Sequence, residues 1–198
     1  MIRRLALTLV VLAAMTGCAS RMPAPLGISG SITVLPVNNR TAEPLLVEGS
    51  SLIDRYVRHT GRVSVGDVLQ SEARHRLHQQ GFEVGDWSSQ QAALKGRVPA
   101  SRQDALELAR TSGIKGRLLY LEIRRWEPDA PTHTRFVIVG IGATVIDGAT
   151  GAEIWHEDRR AAPVPTPGSI NLESAYVVAA RKVIAEMLAP LRPAPELR

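Results

Sequence analysis

The stretch RFVIVGIGATVID, residues 135–147, decides the fold predicted for this chain. Its alternate positions are apolar on both sides of an extended segment: Val137, Val139, Ile141, Ala143 and Val145 on one side, and Phe136, Ile138 and Ile146 on the other. Such a pattern is typical of a central strand that is buried on both faces of a sheet. Gly140 and Gly142 fall on the same side, which indicates close approach of another backbone or helix rather than a ligand loop.

The flanking segments predict the neighbouring strands. RLLYLEIRRW, residues 117–126, places Leu119, Leu121 and Ile123 on one face and Tyr120, Glu122 and Arg124 on the other, as in a half-buried strand. DGATG, residues 147–151, predicts a turn, and residues 152–159 return as the second strand of a hairpin. Further strands are predicted at residues 31–36 and 82–84, and residues 45–63 are predicted as a long ordered loop with short extended pieces.

Three helices follow from their capping signals. Ser64 with Asp67 predicts a capping box, and Gly81 ends that first helix. Ser101 with Asp104 begins a second helix, which closes at Gly113. A third helix covers residues 172–188, begins after Asn171 and stops before Pro190. The predicted order is β-α-β-α-β-β-β-α, an α/β (α+β) sandwich in which helices pack on a mixed β-sheet.

The N-terminal sequence predicts secretion and lipidation. MIRRLALTLVVLAAMTG, residues 1–17, has a positive start, an apolar run and small residues, as a signal peptide does, and its run is too short to span a bilayer. Met15-Thr16-Gly17-Cys18 resembles the lipobox of bacterial lipoproteins, in which the cysteine is acylated and anchors the protein in a membrane. An ordinary buried thiol is the alternative for Cys18, the single cysteine of the chain.

The predicted organisation follows from this anchor. Residues 18–30 are the lipidated N-terminus and a short flexible tether rich in Pro and Gly, residues 31–190 a single periplasmic domain, and residues 191–198 a C-terminal tail. Ala19, in place of Asp, favours the periplasmic face of the outer membrane over retention in the inner membrane.

Charge argues against a nucleic-acid partner. The net charge of +5 includes Arg3 and Arg4, so the chain without its signal peptide carries 5 − 2 = +3. The basic residues are scattered among acids, with no polybasic run. The anchor predicts the membrane as one partner, through the lipid on Cys18, and the periplasmic location makes proteins of the envelope the other expected partners.

Four segments together carry a resemblance to a known family. They are ITVLPVNNRT (32–41), HQQGFEV (78–84), DALELARTSGIKGRLLYLEIRRWE (104–127) and VIDGATGAEIWHEDR (145–159). In order and pattern they resemble the CsgG/PelC-type periplasmic lipoproteins. The resemblance implies an anticodon-binding-like α/β domain, similar to the N-terminal domain of TolB. It also implies an accessory or scaffold role in outer-membrane export or envelope assembly, often as an oligomer.

Residues that suggest catalysis or metal binding form no complete site in the sequence. His75 and His78 are three apart on the first helix, but neither a Cys nor a carboxylate completes a metal site, and exposed polar positions are the alternative. His156 with Glu157 and Asp158 is an acid/base cluster or a solvated hairpin edge. There is no GxSxG elbow and no phosphate-binding glycine loop. We predict no enzymatic activity, no metal and no cofactor.

Arginine and tryptophan at the strand ends suggest protein contacts. Arg124, Arg125, Trp126 and Trp155 are candidate contact residues, because both residue types are enriched at binding hot spots. Core filling is the alternative for Trp155. Arg74, Arg76, Arg181 and Lys182 are candidates for contact with anionic lipid headgroups or polysaccharide, with simple solvation as their alternative.

Three functions are compatible with these patterns. The favoured one is a non-enzymatic outer-membrane lipoprotein that scaffolds an export or envelope-assembly system. The second is an auxiliary lipoprotein of an ABC-type lipid or solvent transport system, and the third is an envelope enzyme. A deep apolar cavity between sheet and helices favours the second, whereas a filled core with an exposed edge favours the first.

Overall fold

The computed structural model of the 198-residue chain describes residues 26–47, 63–130 and 134–194. The strands are β1 (Leu26–Ile28), β2 (Ile32–Val34), β3 (Asn38–Asn39), β4 (Leu46–Val47), β5 (Val63–Ser64), β6 (Arg117–Pro128), β7 (Phe136–Asp147), β8 (Glu153–Pro165) and β9 (Leu191–Pro193). The helices are α1 (Val65–Gln79), α2 (Trp87–Leu94), α3 (Arg102–Thr111) and α4 (Leu172–Met187).

The main sheet is mixed and has the strand order β2-β6-β7-β8, with β3 continuing beside β6. β2 and β3 run parallel to β6, whereas β6, β7 and β8 form an antiparallel meander. Helices pack on this sheet, so the predicted α/β class is confirmed. Among the described residues, no helix is both long enough and apolar enough to cross a membrane.

Helices α1 and α4 cover one face of the sheet. Arg181 pairs with Glu72, and Gln80 Nε2 donates to the carbonyl of Leu188 at 2.9 Å, so the two helices lie side by side and run in the same direction. Their apolar stripes enclose the main core with Leu119, Leu121, Ile123, Ile141, Ala143 and Val145, all fully buried.

The capping signals are where the sequence places them. Both halves of the Ser64–Asp67 capping box are present at α1, and Asn171 caps α4 in a second box with Ser174. Ser101 accepts from the backbone N–H of Asp104 at the start of α3. These local bonds satisfy backbone N–H groups that a helix leaves unpaired in its first turn, which is why the starts of the three predicted helices are confirmed.

Several segments differ from the prediction. In the predicted strand 82–84, Val84 makes an isolated bridge to Ile32, because the chain turns at once into Asp86, the cap of α2. α2 itself was not predicted, since WSSQQAAL has no amphipathic stripe. The predicted loop 45–63 does contain short extended pieces, as expected: β4 pairs antiparallel with β5, whose first residue ends the loop, and residues 48–62 lie outside the described residues.

The ordered chain also extends past both predicted domain boundaries. β1 lies in the predicted tether and β9 in the predicted tail, and the two pair in parallel with Leu26 opposite Leu191. Ile28 is buried in the main core, and Ala194 donates to the carbonyl of Ile28 at 2.9 Å. Burial of an apolar side chain and the backbone bonds beside it therefore tie both segments to the body.

Candidate functional site

The second face of the sheet is covered only in part. α3 packs there through Ala105, Leu106 and Ala109, in a small core with Leu35, Leu118, Tyr120 and Ile146. Beyond this cluster, no helix in the described part of the chain lies over the sheet. We call the uncovered area the open face; it consists of Glu122, Arg124, Arg125, Glu127, Phe136, Ile138, Gly140, Gly142, Thr144, His156, Asp158, Pro163 and Pro165. The prediction that β7 is buried on both faces holds for its C-terminal half, whereas Phe136 and Ile138 are partly exposed.

A chain of polar contacts crosses the open face from β3 to β8. Asn38 Nδ2 donates to the Tyr120 hydroxyl at 2.9 Å, and that hydroxyl donates to Glu122 Oε2 at 3.2 Å. Arg124 Nε donates to Glu122 Oε1 at 2.8 Å, and the same guanidinium pairs with Asp158. Arg124 therefore joins two strands on either side of the central strand.

The network sets the protonation of its members. Partial burial opposes ionisation of Glu122, but the hydrogen bond from Arg124, the positive charges of Arg40 and Arg124 and the Tyr120 hydroxyl bring its pKa below the usual range. Burial raises the pKa of Tyr120, and the neighbouring Glu122 adds to that effect. The carboxylate of Glu122 is thus held ionised and the Tyr120 hydroxyl neutral, so the array is a set of fixed hydrogen-bonding groups.

A bulge in β6 and a glycine in β7 make room for Arg124. The register passes from Ile123 opposite Ile141 to Arg125 opposite Gly140, so Arg124 is the extra residue. A Cβ atom on Gly142 would lie 2.9 Å from Arg124 Nη2. The expected close approach of a backbone or helix is therefore wrong for Gly142, where a side chain approaches; at Gly140 the backbone nitrogen of Ala161 lies 3.4 Å from the corresponding Cβ position.

The bulge also decides which of the predicted contact residues reach the surface. Strict alternation would put Trp126 on the same face as Arg124, but the extra residue turns Trp126 into the core, where it is 2% exposed. Trp126 packs edge-on against Tyr176, with ring centroids 6.1 Å apart. Trp155, opposite Val145, is also buried in the main core. The prediction that Trp126 and Trp155 are surface contact residues is therefore wrong, because both side chains are buried. Arg124 and Arg125 do lie on the open face, with about half of each side chain exposed.

The predicted acid/base cluster is not brought together. His156 lies on the open face, where Nδ1 is 3.2 Å from Thr144 Oγ1, and it lines a cavity of about 330 Å³ with Arg102, Tyr120 and Glu153. Asp158 pairs with Arg124, while Glu157 is opposite Ala143, a residue of the main core, and so belongs to the other face. His156 and Asp158 therefore share the open face, but the carboxylate of Asp158 is already paired with Arg124.

The two histidines on α1 lie on the surface of that helix, and one of them has a local partner. His75 lies 3.0 Å from Gln79 Nε2 through its ring Nε2, one turn along the same helix, and His78 is exposed in the last turn. Within residues 26–47, 63–130 and 134–194, no group of three or more His, Cys, Asp or Glu side chains is arranged to hold a metal ion.

A mixed sheet with two parallel helices on one face and one short helix on the other defines a layered α/β class. The chain is similar in structure to the PelC dodecamer from Paraburkholderia phytofirmans in space group P6, with 18% identity, a TM-score of 0.50 and coverage of 86% of this chain and 93% of that one. A leucine-to-methionine variant of the same dodecamer, in space group C2, gives 20% identity and a TM-score of 0.50 over the same shares of the two chains.

A third similar structure is the lipoprotein GNA1162 from Neisseria meningitidis, with 18% identity, a TM-score of 0.48 and coverage of 79% of this chain and 99% of that one. No protein-family model matches the sequence, and neither does any curated protein. At these identities the PelC likeness shows a shared fold, in keeping with the α/β class in which helices pack on a mixed sheet.

Proposed function

We propose that the protein is a non-enzymatic lipoprotein, anchored through Cys18 at the periplasmic face of the outer membrane, that serves as an accessory or scaffold component of an export or envelope-assembly system. One observation carries the proposal: the open face exposes ordered arginines beside partly buried apolar side chains. This combination suits a protein contact.

The apolar part of the open face lies at one end of β7. Phe136 is opposite Pro165 and Ile138 is opposite Pro163, so four apolar residues adjoin the charged band of Arg124, Arg125 and Glu127. A docked surface that covers Phe136 and Ile138 gains about 25 cal/mol for each Å² of apolar area removed from water. The flanking ion pairs supply orientation more than affinity.

The packing of the main core favours a protein contact over an apolar ligand. The side chains of Leu119, Leu121 and Val183 between the sheet and the two helices are fully buried. A module that carries lipid or solvent molecules needs an open apolar cavity in this layer, so the full burial of these side chains supports the scaffold function over the transport auxiliary.

The docking surface is the face rather than the edge of the sheet. β8 has no partner on its outer side among the described residues, but it contains the charged run 157–160, Pro163, Pro165 and two breaks in register. These are features by which natural sheets discourage strand addition. A second copy of this chain is one candidate occupant, because the PelC structures are dodecamers.

Photo-crosslinking in intact envelopes tests the contact. A photoreactive residue at Arg125 or Ile138 should give a discrete adduct, and one at Lys182, exposed on the helical layer, should give none. Ile138→Glu should reduce recovery of the complex at least tenfold. The matched control is Val98→Glu, because Val98 is an apolar residue outside the open face that is 52% exposed, and this change should leave recovery unchanged. Recovery of a free monomer alone would count against the scaffold function.

Fractionation tests the anchor independently. Cys18→Ser should leave the body folded, as judged by circular dichroism, but release it from the outer-membrane fraction. An unchanged distribution of the variant would contradict lipidation at Cys18.

A further inference from the structure

We propose that one end of the body binds the anionic phospholipid headgroups of the membrane in which the protein is anchored. This inference rests on the anchor of the proposed function and adds an orientation to it. We call this end the tether end; it consists of the C-terminal ends of α1, α3 and α4, the β1–β9 pair and the starts of β2 and β6.

The backbone contacts around the start of β2 bring these segments together. Ile32 N–H donates to the carbonyl of Glu83 just after α1, at 2.8 Å. Arg117 N–H, which follows α3, donates to the carbonyl of Ser31 at 2.9 Å. Ala194, which follows α4 and β9, donates to Ile28 at 2.9 Å. The three helices therefore end around the point where the chain from Cys18 enters the fold.

Covalent geometry holds this end near the bilayer. Eight residue steps separate Cys18 from Leu26, and at roughly 3.6 Å per residue they reach at most about 29 Å. The β1–β9 pairing holds Leu26 on the body, so the stretch between Cys18 and the body is shorter than the predicted tether of residues 18–30. With Cys18 acylated, the tether end is thus the part of the body that meets the membrane surface first.

The tether end carries basic side chains that lack carboxylate partners. They are Arg76, Arg97, Arg110, Lys115 and Arg192, and none of them has an ion pair within the described residues. Glu83 and Glu107 are exposed carboxylates at this end, the latter beside a cavity that Arg97 also lines, and Asp147 is neutralised by Arg117. Five cations against these two carboxylates leave an excess of three positive charges at the tether end.

Most arginines elsewhere in the described residues are neutralised by a neighbour. Arg40, Arg102, Arg124, Arg125, Arg159 and Arg181 all pair with Asp or Glu, whereas Arg135 and Arg160 lie outside the tether end without a carboxylate partner in the described structure. Of the four lipid-contact candidates from the sequence, Arg181 is engaged by Glu72, and Arg74 stacks 5.3 Å from the Trp87 ring. Lys182 is exposed on α4 more than one turn before the end of that helix, so Arg76 is the candidate that lies at the tether end.

Helix dipoles account for part of the pattern only. Arg76 and Arg110 lie in the last turns of α1 and α3, where a cation stabilises the helix end. Arg97, Lys115 and Arg192 lie outside the helices, so no dipole explains their number. Guanidinium and ammonium groups bind phosphate oxygens directly. Each such residue near an anionic surface strengthens binding about fivefold, an effect that salt removes.

Headgroup quenching of a fluorophore tests the orientation. The full chain, purified with its anchor, carries the fluorophore on Gln79→Cys at the tether end or on Pro167→Cys at the far end; both positions are exposed and uncharged. Vesicles contain phosphatidylcholine alone or with about 30 mol% phosphatidylglycerol, and a trace of lipid with a nitroxide on its headgroup. We expect at least threefold stronger quenching at position 79 than at 167 in anionic vesicles, and loss of that difference in neutral vesicles or high salt.

Charge reversal supplies the matched control. Arg110→Glu with Lys115→Glu should abolish the difference between the two positions. Arg135→Glu with Arg160→Glu makes the same charge change at two other exposed arginines without carboxylate partners in the described structure, and should preserve it. Equal quenching at both positions in anionic vesicles, an undiminished difference between them in neutral vesicles, or equal effects of the two double variants would overturn the proposal.

Mass spectrometry of the N-terminal peptide separates this test from the test of the anchor. An unacylated chain that still prefers anionic vesicles would contradict the anchor and support the headgroup surface. An unacylated chain with no preference for anionic vesicles would overturn both the anchor and the headgroup surface.

Discussion

Arg124 Nη2 lies 2.9 Å from the point that a Cβ atom on Gly142 would occupy. The guanidinium thus rests on the bare backbone of the central strand, between Glu122 and Asp158. A glycine in a strand interior weakens the strand, and a bulge interrupts its ladder of hydrogen bonds. Two unfavourable local features therefore coincide at the residue that organises the open face.

Alanine substitution of two glycines tests whether the atom that a new Cβ would meet can move. At Gly142 that atom belongs to a side chain, and at Gly148 it belongs to the backbone. Gly142→Ala displaces the end of a flexible arginine, and the entropy lost from the unfolded chain offsets the strain, so we expect a change within about 1 kcal/mol. Gly148→Ala would bring a Cβ atom to 2.6 Å from the carbonyl oxygen of Gly116, which cannot move freely, and should destabilise the fold by about 2 kcal/mol or more. Urea unfolding measures both; equal losses would contradict this account of Gly142.

Truncation of Trp126 tests its assignment to the core. Because Trp126 is only 2% exposed, Trp126→Ala should lower the free energy of unfolding by about 3–5 kcal/mol. Trp126→Phe keeps an aromatic ring beside Tyr176 and should lose less. Denaturant titration gives the two values, and crosslinking at Arg125 should persist in the Phe variant. Loss of that crosslink from a stably folded Phe variant would restore Trp126 as a contact residue.

Two buried glutamines share one acceptor and should therefore be coupled. Gln70 from α1 donates to the carbonyl of Val34 at 2.9 Å, and Gln90 from α2 donates to the same oxygen. Either Gln→Leu variant leaves one donor and should destabilise the fold by about 1 kcal/mol. The double variant leaves the carbonyl unpaired, so its loss should exceed the sum by about 1 kcal/mol or more. Gln79→Leu is the exposed control, and strict additivity would refute the shared bond.

Stability at low pH should depend on Asp86. Hydrogen bonds from the Ser88 hydroxyl, the Ser89 backbone and the Ser89 hydroxyl lower its pKa from 3.8 to about 2. A carboxyl whose pKa is lower in the folded state stabilises the fold above its unfolded pKa, and this stabilisation is lost as the pH falls from about 4 to 2. Asp86→Asn keeps a capping side chain but does not titrate.

The denaturation midpoint of the Asn variant should therefore fall less than that of the original chain across this interval. Parallel decreases in the two proteins would assign the acid sensitivity to other carboxylates, such as Glu122.

The elements that local sequence signals specify were predictable. Ser64, Ser101 and Asn171 mark helix starts through bonds to residues three positions away, and the alternation in residues 117–126 and 135–147 marks the central strands. β1 and β9 were not predictable in this way, because each is three residues long and its partner lies at the other end of the chain.

The contact surface was half predictable for a related reason. Arg124 and Arg125 are recognisable by residue type, but the bulge that sends Trp126 inward has no signature in the β6 segment itself; the glycines opposite it are the available hint. The basic cluster of the tether end could not be predicted from the sequence. Its five cations come from separate segments, which lie close together only because three helices end at the same side of the fold.

The pairing of β1 with β9 has a practical consequence for recombinant expression. A chain that begins at Ser31, where the composition suggests the compact part starts, would lack Ile28 and leave the backbone of Leu191–Pro193 without its partner strand. Removal of the last eight residues would do the same from the other side. Soluble versions for crystallisation should therefore retain residues 26–194 in full, with any affinity tag separated from either end by a linker.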